Sequence, residues 1–286
     1  METKEIGTSR VILVIFCGIV ILAFAQGISS LAFNLPLPRG VRAMIFGVTY
    51  VALCYFMIRV CCRKFLKMEP EGCYINRPSI PLPWLARAII LPVTVSALLL
   101  CCPGELSKNN VSTVEAIDII LSAVFIVGLG AGVAEEMVFR GLIMKTLEKR
   151  WGRPLAIILP SVIFGLLHVL GVKMNLVDLF FLLVAGTSVG IMFSLIVYES
   201  NSIWPSAMVH GVWNMIMIGD ILNIGTSHKP GALFSYKLAT TSTLITGGAF
   251  GVEASIFAIS GYLVVILWTL SLLKKKRNDQ SSSLFQ

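Results

Sequence analysis

The chain is dominated by long apolar runs, and their length constrains its fold more than any other feature. About eight can be marked, over residues 11–33, 41–62, 84–102, 115–140, 154–171, 177–197, 203–222 and 248–273. Each is close to the ~20 residues a helix needs to cross the hydrocarbon core. Strands of a membrane barrel would be shorter and would alternate apolar with polar residues, so helix is the expected backbone. Composition agrees: 56% of the 286 residues are hydrophobic and 13% are charged, and the mean hydropathy is +0.87. The expected fold is all-α, a polytopic membrane bundle of about eight transmembrane helices. It reads as a single membrane domain over 1–286, with a catalytic core at 115–222 and a polar cytoplasmic tail at 274–286.

The formal charge of +8 sits in connections between apolar runs, such as Arg63-Lys64, Lys145 to Arg153 and Lys274-Lys275-Lys276-Arg277. That placement reads as membrane topology, not as a nucleic-acid stripe. With these clusters inside, both termini are expected in the cytoplasm, although Arg39 and Arg42 then fall in an outer loop. The first run resembles a signal peptide, with Ala23-Phe24-Ala25 mimicking a cleavage site, but its apolar character continues to Phe33. An uncleaved anchor is therefore expected. The seven cysteines contain no C-x-x-C and are expected to act as small apolar residues.

Ionisable groups inside apolar runs are costly and point to function. Asp118 and Asp178 lie near segment ends, Arg42, Arg59 and Arg87 can snorkel, and Asp220 and Glu253 suit structural or cavity-lining roles. Three groups remain: Glu135-Glu136 with Arg140, Phe164 with His168, and His210 with Asn214. Glu136 and Arg140 are four apart and share a helix face. Glu135 is rotated ~100° from Glu136 and is free to face a cavity, and Ala131 and Gly132 one turn earlier are expected to leave room for water. Phe164 can brace the His168 ring. His210 and Asn214 share a face, and two donors there suit a developing oxyanion.

H-E-x-x-H is absent, and the chemistries these groups suit are water activation by a carboxylate or a metal site. In the first reading Glu135 is the general base, His168 orients the water, and His210 with Asn214 holds the tetrahedral intermediate. In the second, Glu135, His168 and His210 are zinc ligands with an open fourth position. Asn214 is a poor zinc ligand and a good donor, which favours the reaction without a cofactor. A membrane proton-relay transporter, or a scaffold or immunity protein, would use the same polar groups differently.

The three motifs, in this order, resemble those of the CAAX protease and bacteriocin-processing family (CPBP, Abi), which includes type II CAAX prenyl endopeptidases. The family pattern EExxxR, FxxxH and HxxxN or HxxxD falls on Glu135-Glu136 with Arg140, Phe164 with His168, and His210 with Asn214. The resemblance implies a glutamate-dependent intramembrane peptidase in which Glu135 and His168 activate water and His210 and Asn214 form the oxyanion site. It implies a membrane-associated peptide or a prenylated or lipidated protein as substrate. Short loops suggest a bacterial plasma membrane. One tension arises from topology: His168 would lie ~22 Å from Arg153 along its helix, so residues 151–160 are expected to lie partly at the interface, broken at Pro160.

Overall fold

A computed structural model describes residues 6–170 and 173–283. Its main helices are α1 (Thr8–Ser29), α2 (Arg39–Cys61), α3 (Leu82–Leu100), α4 (Thr113–Trp151), α5 (Arg153–Leu167), α6 (Leu176–Ser200), α7 (Ile203–Met217) and α8 (Ile256–Ser283). The all-α polytopic bundle expected from the sequence is what is observed. Among the described residues, however, six helices are long and apolar enough to cross a membrane, not eight. The other two, α5 and α7, have 15 residues each, or ~22 Å at 1.5 Å per residue, against a ~30 Å hydrocarbon core.

Two apolar runs, 203–222 and 248–273, are trimmed because the backbone turns. After Met217 the chain bends through Asp220, at φ 61°, into a short strand. The run from 248 begins as turns built on Gly247, Gly248 and Gly251, all at positive φ, a region glycine enters without steric cost. Helix α8 starts only at Ile256 and continues through the expected polar tail to Ser283. A small sheet departs from the all-helical expectation. Strands β1 (Gly104–Lys108), β2 (Leu222–Gly225) and β3 (Phe234–Leu238) pair in the order β1-β3-β2, with β3 antiparallel to β1 and parallel to β2.

The three basic clusters gather at the opposite end of the bundle. Tyr74 Oη donates to Glu148 at 2.6 Å, and Arg153 pairs with the same carboxylate at 3.2 Å. Lys276 binds Glu199 at 2.6 Å, and Trp84 Nε1 donates to Glu199 at 2.9 Å. The loop between α2 and α3 also carries Glu69, whose carboxyl is held below its ordinary range by the Arg63 hydrogen bond at 2.8 Å. All seven cysteines are free, and the buried Cys62 and Cys73 place their sulfurs 3.4 Å apart.

Two apolar cores share α7. One joins α1, α2, α4 and α5 and takes Ile203 and Ala207; the other joins α3, α6 and α8 and takes Val209, Val212 and Trp213. The α4–α7 crossing is close because glycine faces glycine. A Cβ added at Gly132 would lie 2.8 Å from Gly211 Cα, which is backbone and cannot swing away. The space beside Gly132 is thus filled by α7 instead of being left for water, contrary to expectation. Gly132→Ala is expected to lower stability by ~1–3 kcal/mol, as overpacking does, read as a lower melting temperature in detergent.

Candidate active site

Helix α4 carries the glutamate pair between two stretches wound as π-helix, Ala123–Ala131 and Met137–Ile143. Such wider turns are uncommon and are frequent at functional sites. The pair splits as its spacing predicts. The Glu136 side chain is 0% exposed and that of Glu135 is 24% exposed.

Glu136 is more than the partner of Arg140. Its Oε1 receives Arg140 Nη1 at 2.9 Å and lies 3.1 Å from His210 Nδ1, while its Oε2 accepts from Ser206 Oγ. Arg140 also donates to the Gly190 carbonyl at 3.2 Å and lies over the rings of Phe164 and Phe193. A buried charge pair needs such additional partners to repay the loss of water. Ser206, His210 and Asn214 fall at i, i+4 and i+8 on α7, so one stripe serves Glu136 and the cavity together.

Hydrogen bonds fix both catalytic-candidate histidines. A carbonyl can only accept, so His168 Nδ1, 2.7 Å from Phe164 O, carries a hydrogen and leaves Nε2 as a free acceptor in the neutral ring. Phe164 also braces the ring, with centroids 4.6 Å apart. His210 Nδ1 likewise donates to the Glu136 carboxylate, and Phe193 stacks on the ring at 4.7 Å. His210 Nε2 lies 3.8 Å from Glu135 Oε2, so it acts as a donor there only when the ring carries both protons. The two donors expected on this face are therefore unlike: Asn214 is neutral and gives one N–H to Val127 O at 3.1 Å, keeping its second.

Glu135, His168, His210 and Asn214 line one cavity of ≈ 270 Å³, with Phe164 in its wall. The depth expected to separate His168 from Glu135 does not arise. Gly152 joins α4 to α5 as a hairpin, and Glu135 lies 17 residues before it and His168 16 after it, so the two are level. Helix α5 starts at Arg153 and runs through Pro160 unbroken, which removes the need for an interfacial segment.

Sequence reasoning missed Ser206, Phe193 and Trp213. Ser206 had a signal, its i−4 spacing from His210; the rings had none. Asp220 pairs with Lys229 at 2.5 Å away from the cavity, whereas Glu253 lines it. Both histidines keep Nε2 free with Nδ1 engaged, the tautomer a zinc ligand also uses. Yet among the described residues no three His, Cys, Asp or Glu side chains converge as metal ligands do.

No curated protein and no solved structure matches the chain. A family model does, and it covers the segment from the middle of α4's first turns to the end of the cavity-lining face of α7, with all three motifs inside it. The match supports a membrane endopeptidase in general: residues 117–216 are similar to the family described as type II CAAX prenyl endopeptidase Rce1-like.

Proposed function

We propose that the chain is an intramembrane endopeptidase that hydrolyses a peptide bond of a membrane-associated or lipidated protein without a metal. The observation that carries this reading is the convergence of Glu135, His168, His210 and Asn214 on one cavity. Water sits between the Glu135 carboxylate and His168 Nε2, the two acceptors left open. Glu135 takes a water proton as the oxygen attacks the carbonyl carbon. The oxyanion receives the free Asn214 N–H and, from the doubly protonated ring, His210 Nε2–H. Glu136 keeps that ring in place through Nδ1, much as a buried carboxylate orients the histidine of a serine-protease triad. The basic end of the bundle faces the cytoplasm in this reading.

The test uses purified protein in liposomes with a membrane-anchored peptide, prenylated or not, and mass spectrometry of the products. Cleavage at one bond, unaffected by a chelator, is expected. Chelator inhibition reversed by zinc would replace the metal-free mechanism, and ion flux without any cleavage would replace the peptidase by a proton relay.

A further inference from the structure

We propose that Glu253, on the wall of the cavity formed by the turn before α8, is the general acid that protonates the leaving amine. This assignment rests on the peptidase reading above and adds a residue that lies outside the three motifs and outside residues 117–216.

The geometry is that of a carboxyl held at one oxygen and open at the other. Trp213 Nε1 donates to Oε1 at 2.8 Å, and Tyr262 Oη donates to the Glu253 backbone carbonyl at 3.2 Å. Oε2 has no protein partner among the described residues, and Glu253 lines the same cavity as Glu135. Trp213 is three residues beyond His210 on α7, so its indole sets the Glu253 carboxyl beside the His210/Asn214 stripe. Phe250, in the same turn, meets the His168 ring with centroids 6.0 Å apart. One short segment thus touches both His168 and the helix that carries His210 and Asn214.

No lysine or arginine is among the groups that act on this carboxyl; the offsetting groups are His168 and His210. The titratable groups around it are Glu135 on α4, His168 after α5, His210 on α7 and Tyr262 on α8, with Asp178 of α6 against Gly248 in the same segment. Its other neighbours are Trp213 and Phe250. Glu253 lies outside the six long helices, and burial pushes its carboxyl up, outweighing the pull of the Trp213 N–H, His168 and His210. Glu135 is partly exposed and faces His210. Two carboxyls in one cavity held this differently take different parts: Glu135, facing His210, accepts a proton, and Glu253, held by an indole N–H where burial raises it, keeps its own.

The step balances. Water adds to the carbonyl carbon and gives one proton to Glu135. As the C–N bond breaks, the Glu253 O–H passes its proton to nitrogen and the amine departs neutral. Glu135 then loses its proton and Glu253 regains one from water, so the net reaction is amide plus water to acid plus amine.

Glu253→Gln keeps an oxygen to accept the Trp213 N–H but has no proton to transfer. Full-length variant and wild type are compared in liposomes on one peptide carrying either an amide or an ester at the cleaved bond. An ester's alkoxide departs with far less need of a proton. The expected result is a ~10²–10⁴-fold fall in amide cleavage, the range for lost acid catalysis, with ester cleavage near wild type. Infrared difference spectra at neutral pH are expected to show a protonated carboxyl band in wild type that the variant lacks. Equal loss on both substrates, full amide activity in the variant, or no band difference overturns this proposal alone. A wild type that cuts neither substrate overturns the peptidase reading with it.

Discussion

Glu135→Gln is expected to slow peptide cleavage by ~10²–10⁴-fold, the range for loss of a positioned general base, without lowering the melting temperature. The side chain makes no ion pair that holds the fold. Its nearest charged neighbour is His210 Nε2 at 3.8 Å, and a quarter of its surface is open. Glutamine keeps the volume and the contact with the cavity wall but cannot take a proton from water. His168, held through Nδ1 by Phe164 O, is undisturbed by the change, so remaining activity measures what the histidine and the oxyanion donors do alone. Single-turnover cleavage and thermal melting of the same preparation check both halves. Wild-type cleavage rates in the folded variant would remove Glu135 from the mechanism.

Arg140→Met is expected to have the opposite signature, a loss of the folded state. The guanidinium and the Glu136 carboxylate are both fully buried and 2.9 Å apart. Removing the cation leaves a buried anion with only Ser206 and His210 as partners, and breaking such a pair costs about 3–5 kcal/mol. The Gly190 carbonyl also loses its donor, and Phe164 and Phe193 lose the cation between their rings. The double variant Arg140→Met with Glu136→Gln is expected to recover much of that stability, because no charge is then stranded. It is not expected to recover activity, since His210 Nδ1 would face an amide in place of a carboxylate. Melting temperatures and cleavage rates of the single and double variants separate the two roles of Glu136. Equal melting temperatures for wild type and Arg140→Met would show that the pair contributes nothing to the fold.

These two cases mark what was legible in the sequence. Helical spacing alone separates Glu136, which points at Arg140, from Glu135, because the periodicity of one helix is written in the chain. The link from Glu136 to His210 joins residues 74 apart, and no local pattern encodes it. The count of eight long helices is not reached for a related reason. Hydropathy registers apolar residues whether or not they continue a helix, so the runs at 154–171 and 203–222 hid the helix ends at Leu167 and Met217. Glu253 was legible only as a lone acid in an apolar stretch. That it faces the cavity depends on the turn that brings it back to Trp213.

The α4–α5 hairpin makes the site a counted distance. Glu135 and His168 are set level by nearly equal numbers of residues on either side of Gly152, and each residue added to one arm shifts the opposing groups by ~1.5 Å and turns them by ~100°. A single inserted residue in an α-helical part of either arm, Met144–Trp151 or Arg153–Leu167, would therefore misalign base and histidine. The corner at Gly152 escapes this restriction. The spacing between the first two motifs is thus a length standard that the chain must keep.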